Sequence, residues 1–259
     1  MARFTVNRRR FLTGAALGTG SLLLSGCDAI GQNPTARNLL QRAETLTEAV
    51  QRALLDRDAL APEFSESEII QPMRPNGTTA PREPEYRTLA ASGFADWRLQ
   101  VGGLVERPAE FSLDELRAMP SRTQITRHDC VEGWSCSGKW KGVPLGAVLE
   151  RVGLKPQARY VAFSCADTLE QTFDGTGQYY ESIGLEDAFH PQTILAYDMN
   201  DQTLPIPHGA PLRVRIERQL GYKMAKYIMR IDAVESLEGL GGGKGGFWED
   251  RGYEWYAGI

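Results

Sequence analysis

Cys130 stands in the run His128-Asp129-Cys130-Val131-Glu132-Gly133-Trp134-Ser135. A thiolate is a soft donor that suits soft or high-valent transition metals. By default a lone cysteine is a small buried hydrophobe. Here its neighbours are an imidazole, two carboxylates and an indole, a poor composition for a plain core strand. On residue type alone, Cys130 is open to three readings: an inert thiol, a zinc ligand shared with His128, or a ligand of a redox metal. Elemental content separates them.

A second set of chemically able residues lies downstream. His208 and Arg213 flank Gly209-Ala210-Pro211-Leu212, and Gly221-Tyr222-Lys223-Met224-Ala225-Lys226 follows. A guanidinium offers planar, paired, charge-assisted hydrogen bonds to a phosphate or carboxylate. A backbone concavity with one lysine is, in general, a standard anion site. Read blandly, His208 is a turn residue, Arg213 an ion-pair partner, and the lysine stretch a basic strand.

Short strands and short helices have to position these groups. Alternating or apolar runs predict strands over Trp97–Val101, Thr123–His128, Tyr160–Cys165, Thr193–Met199, Leu212–Glu217 and Tyr227–Ser236. Ser112-Leu113-Asp114-Glu115 is a capping box that starts a helix ending before Pro120. Pro144 to Val152 reads as a helix with proline in its first turn and Gly153 just past its end. Asn200-Asp201 fits a tight turn, and Gly239 to Gly246 a flexible segment before an aromatic tail. Cys130 is expected in a loop just past a strand. The mixture indicates an α+β domain.

Arg127 to Ser135, followed by Gly138-Lys139-Trp140-Lys141-Gly142-Val143-Pro144-Leu145, resembles the molybdopterin domain of the sulfite oxidase family. Ala196 to Asn200, Leu204-Pro205, His208 to Arg213 and Gly221 to Lys226 resemble its later blocks, and Asn76-Gly77-Thr78-Thr79 an upstream one. The likeness runs from Asn76 to the C-terminus. It implies a mixed-sheet fold holding molybdenum-molybdopterin, with Cys130 as metal ligand and catalytic residue. It further implies cofactor contacts from Asn76, Cys165, His208, Arg213, Met224, Ala225 and Lys226. Cys165 aligns with a pterin-contacting threonine of the bacterial members. Of the pair Tyr179-Tyr180, Tyr180 is taken as the residue near the open metal positions.

The reaction so implied is oxygen-atom transfer, with electrons exchanged with a membrane haem protein or a periplasmic carrier. Eukaryotic sulfite oxidases follow the cysteine with Gly-Asn-Arg-Arg; this chain has Val131-Glu132-Gly133-Trp134. The difference favours an S-oxide or N-oxide substrate, such as methionine sulfoxide, over sulfite. Oxidation of sulfite or another sulfur compound is the alternative within the enzyme class. A cofactor-free periplasmic binding lipoprotein is the alternative outside it. Cys136 and Cys165 are open to pairing or to life as buried thiols.

The N-terminus reads as an address. Arg8 and Arg9 before Phe11 and Leu12 resemble a twin-arginine export signal, and Leu24-Ser25-Gly26-Cys27 a lipoprotein cleavage box. The expected layout is a signal over 1–26, a helical extension and linker over 27–75, and the molybdopterin domain over 76–259. Leu39, Leu40, Ala43, Leu46, Val50 and Leu54 give the extension one apolar helical face. The expected location is the periplasm, with a lipid anchor in the inner membrane as the only membrane contact.

The chain of 259 residues carries 29 Lys and Arg against 33 Asp and Glu. Without the four arginines of the first 26 residues its net charge is near −8. A negative body argues against nucleic acid, which rewards basic patches.

Overall fold

The computed structural model describes Asn33, Thr35 and residues 46–54, 56–172 and 177–259. The export and lipidation readings at Arg8, Arg9 and Cys27 lie outside the described residues. The chain divides into two compact units, 1–54 and 55–259. In the first, residues 46–54 are helical. Leu46, Val50 and Leu54, four residues apart, share one face there and are exposed.

The second unit is α+β. Its strands are β1 (Leu99–Gly103), β2 (Ala109–Phe111), β3 (Arg122–Cys130), β4 (Trp134–Pro144), β5 (Tyr160–Thr168), β6 (Gln178–Gly184), β7 (Ile194–Met199), β8 (Gln202–Thr203), β9 (Arg213–Arg215) and β10 (Ile228–Val234). Its helices are α1 (Pro84–Ala91), α2 (Leu113–Ala118), α3 (Leu145–Val152) and α4 (Leu185–Ala188). One sheet has the order β2-β1-β10-β5-β6; the other runs β3-β4-β7-β8, with β9 also on β7. Among the described strands, only β1 and β10 pair in parallel. Leu99, Val148, Phe163, Tyr197, Ile231 and Phe247 share the main apolar core.

The capping box forms as the sequence predicts. Ser112 Oγ accepts from Glu115 N–H at 3.2 Å, and Glu115 Oε2 accepts from Ser112 N–H at 2.8 Å. α3 begins after Pro144 and stops at Gly153, whose φ of 70° suits glycine.

Four strands were not expected, the short β2 and β8 and the longer β4 and β6. β4 covers Trp134 to Pro144, where Gly138, Gly142 and Pro144 look like turn signals. Gly142 instead makes room for a neighbouring strand, since a Cβ there would collide with the Leu195 carbonyl on β7. Its bare Cα permits close strand approach at a register shift. β6 was missed because Glu181 and Ser182 interrupt its apolar pattern.

β3 runs further than expected, so Cys130 is its last residue, paired with Trp134 across the hairpin. The segment 56–75, read as linker, is tied to this hairpin. Phe64 N–H donates to the Ile125 carbonyl at 2.9 Å and Ile70 N–H to the Ser137 carbonyl at 3.1 Å.

Candidate active site

A cavity of about 210 Å³ opens at the Cys130 end of the β3–β4 hairpin. Its wall includes Asn76, Cys130, Met224 and Lys226, joined by Thr78, Asp167, Tyr179 and Tyr222. Four of the expected site residues therefore converge from segments far apart in the chain. Leu169, Trp248 and Tyr253 supply an apolar side, with the last two rings stacked at 5.3 Å. A larger cavity of about 330 Å³, between Ala59–Phe64 and Arg218, contains none of the expected residues.

Cys130 is half-buried, and burial pushes its thiol up. The backbone N–H groups of Glu132 and Val131 and the charge of Arg74 act in the opposite sense. Glu132 is held beside it, accepting from Trp134 Nε1 at 2.9 Å. Among the described residues, no three His, Cys, Asp or Glu side chains gather as a metal-binding group. His128 Nδ1 accepts from Arg215 at 3.1 Å, and the ring lies against Gly221. A metal here would thus take Cys130 as its protein ligand and draw its remaining ligands from elsewhere.

The cationic residues form a cluster behind Lys226. Arg213 is fully buried, and its Nε and Nη2 have no hydrogen-bond partner. Its Nη1 donates to the His208 carbonyl at 2.9 Å. Its guanidinium lies 4.9 Å from the centre of the Trp140 ring, and that of Arg215 lies 4.5 Å from it. Gly209 fits between Lys226 and Arg213, whose Cβ atoms would both crowd a side chain there.

Burial and then Arg213 bring Lys226 down to about 7. Burial, Arg213 and Lys226 bring His208 down to about 4. Burial pulls Arg213 down as well, reinforced by Arg215. Buried positive groups that repel one another, one with two unpartnered nitrogens, are a site short of an anion. The phosphate-bearing tail of a molybdopterin meets that need, and the Cys130 sulfur meets the need for a thiolate. The residues fit the group.

Other expected positions differ. Cys165 lies wholly in the core on β5, where its sulfur accepts from the Lys226 N–H. It backs the cavity and does not line it. Cys130, Cys136 and Cys165 are all free thiols. Ala225 is also buried in the core. The N–H groups expected to cradle an anion are committed internally, Met224 to the Gly221 carbonyl and Ala225 to the Lys223 carbonyl. What this segment offers the cavity is the Met224 side chain and Lys226. The Lys226 ammonium is itself clasped by the carbonyls of Asn76, Thr78 and Pro207.

Tyr180 points away from the cavity, and its hydroxyl donates to Asp250. Tyr179 is the member of the pair on the wall, donating to the Tyr222 carbonyl. Successive side chains on a strand face opposite ways, so one of two adjacent tyrosines had to lose the position. Three further residues were passed over in the sequence. Arg215 pairs with Glu217 at 2.6 Å in full burial. Trp140 carries both guanidiniums against its ring. Asp167 lines the cavity with its Oδ1 unpartnered. An acid directly after the mostly apolar run Tyr160–Ala166 was the available signal for Asp167.

Arg213→Leu tests the anion cluster. Removing a buried cation with unpartnered nitrogens should leave the cofactor-free protein at least as stable by thermal unfolding. Pterin retention after dialysis should fall about 10- to 100-fold. Undiminished pterin in this variant would remove Arg213 from the site.

Comparison with known proteins agrees with this chemistry. The family model described as oxidoreductase molybdopterin binding domain matches residues 87–238. A putative protein-methionine-sulfoxide reductase subunit YedZ1 of Azospira oryzae is 40% identical over 251 residues, covering 97% of this chain and 87% of that protein. The protein-methionine-sulfoxide reductase catalytic subunit MsrP of Ralstonia nicotianae is 32% identical over 88% of this chain and 69% of its own length. MsrP of Xanthomonas axonopodis pv. citri is 40% identical over 56% of this chain, and the match spans 47% of that relative. With the family model matching more than half of its length and a relative aligned nearly end to end, the chain belongs to the molybdopterin-binding oxidoreductases of the sulfite oxidase type.

Proposed function

We propose that this oxidoreductase reduces S-oxides of the methionine sulfoxide type, in small molecules or in proteins. Its electrons come from a membrane haem protein or a periplasmic carrier. The observation that carries the reading is the meeting of Cys130 and Lys226 on one cavity wall, with a partly apolar side. The relatives named as methionine-sulfoxide reductases supply the substrate class.

When bound, the molybdenum-molybdopterin supplies the two-electron redox chemistry. Cys130 holds the metal through sulfur. Arg213 and His208 would hold the phosphate end, with the charge of Lys226 acting from beside them, while Asn76 and Met224 would flank the group. Leu169, Trp248 and Tyr253 seat the alkyl part of a thioether S-oxide and exclude water. We place the enzyme in the periplasm, exported by the Arg8-Arg9 signal and anchored to the inner membrane through Cys27.

Turnover of cofactor-loaded protein tests the direction of the reaction. Methionine sulfoxide with a reduced viologen dye should be consumed faster than sulfite with ferricyanide. The reverse ranking would replace the reductase reading with a sulfur-oxidising one.

A further inference from the structure

We propose that Asp167 is the proton donor of this cavity, delivering one of the two protons that convert the oxygen of an S-oxide into water. The proposal rests on the S-oxide reading of the site. In that reaction the sulfur–oxygen bond breaks, and sulfur is reduced to the thioether by two electrons from the haem or carrier partner. The oxygen takes up two protons and leaves as water. One proton comes from Asp167, which is recharged from solvent; the other comes from solvent directly.

The cavity itself narrows the choice of donor. Tyr179 donates its hydroxyl proton to the Tyr222 carbonyl, and Tyr222 donates its own to the Glu254 carbonyl. The Lys226 ammonium is spent on three carbonyls. Glu132 sits at the exposed rim beside Arg74 and Trp134. Asp167 lies on the same wall, is 3% exposed, and keeps Oδ1 without a partner. A buried carboxyl on a cavity wall, with one oxygen unpartnered, is disposed to hold a proton and pass it to what enters there.

Its surroundings act consistently. Burial raises Asp167 to about 6, against the pull of Lys226 and of a hydrogen bond from Thr78. Glu83, at the start of α1, raises it further. The other ionisable groups that sense its charge are Tyr86 on α1, Tyr227 beside β10, Cys165 on its own strand and Tyr179 on β6. Each of these is held in its neutral form by burial, so among the described residues Lys226 is the cation set against Asp167. The acid form prevails below about pH 6. Donation is therefore lost as pH rises through that value, and turnover falls with it.

The test uses cofactor-loaded wild type, Asp167→Asn and Asp167→Glu, each assayed for metal and pterin per chain. Asp167→Asn should keep its cofactor yet lose about 100-fold in kcat on methionine sulfoxide, with KM little changed. Its kcat should be flat across the range where the wild type declines, and Asp167→Glu should restore much of the loss. Infrared difference spectra of the protein between about pH 5 and about pH 8 should show a carboxylic acid band that is missing from Asp167→Asn.

An undiminished kcat in Asp167→Asn, or a loss that tracks missing cofactor, overturns the assignment. So does an acid band that survives the substitution. A loaded wild type that cannot reduce methionine sulfoxide overturns the underlying reading instead, and the donor role with it.

Discussion

Cys130→Ser is expected to lose on the order of a thousandfold in turnover, or more, while the chain still folds. The hydroxyl of serine is a harder donor and does not ionise as a thiol does beside a metal. The phosphate end of the cofactor would still have Arg213, His208 and Lys226. Pterin should therefore be retained better than metal, and the metal-to-pterin ratio is the sensitive readout. Stability should move by about 0.5 kcal/mol or less, because Cys130 is half-buried at a hairpin end and packs in no core cluster. Cys165→Ser is the natural control. Its sulfur is fully buried in the main core, so a hydroxyl there should cost about 1–3 kcal/mol of stability and leave the metal-to-pterin ratio alone. Wild-type turnover in Cys130→Ser would end the ligand assignment.

The largest effect on folding is expected from Lys223→Met. The Lys223 ammonium lies between Glu181 at 2.6 Å and Glu249 at 2.5 Å, all three fully buried. It also sits 5.4 Å from the centre of the Trp255 ring. The trio joins β6, the turn before β10 and the aromatic tail. Methionine fills a similar volume but strands two carboxylates. Breaking a buried ion group in this way costs about 3–5 kcal/mol, or on the order of 10 °C in Tm for a unit of this size.

The pH dependence has a definite sign. Burial and the charge of Glu249 hold Glu181 well above the usual carboxylate range even with Lys223 present. A raised acid loses stability as pH climbs from its unfolded value to its folded one. The deficit of Lys223→Met should thus be smallest near about pH 4 and grow as pH rises towards neutrality. Thermal melts across that range check it. A variant as stable as wild type at neutral pH would show that the trio contributes nothing net. Lys223→Met combined with Glu181→Gln and Glu249→Gln should recover most of the loss.

How much of this was legible in the sequence depended on the range of the interaction involved. Ser112–Glu115, Pro144 and Gly153 act on their own neighbours, and each set a helix end where expected. Cys130 and Lys226 were recognisable from local motifs and do meet at the cavity. Tyr180 failed for a non-local reason. Which of two adjacent strand residues turns inward depends on pairing register, and β5–β6 shifts register between Ser164 and Thr168. Cys165 kept the motif position of a pterin contact, but the β5–β10 pairing sets it in the core. The committed N–H groups of Met224 and Ala225 could not be foreseen either, since they depend on the turn that Gly221 to Lys223 makes. Asp167 and Arg215 were visible as charges in apolar strands. Their importance appears only when burial shows one oxygen without a partner and one guanidinium stacked on Trp140.

The clasp around Lys226 has a consequence for biosynthesis. Its ammonium grips the carbonyls of Asn76 and Thr78, which lie 150 and 148 positions earlier in the chain. A polypeptide still emerging from the ribosome has no cradle to offer until nearly its whole length is free. Cofactor insertion must then follow translation, and a truncated product stays empty however well its first strands fold.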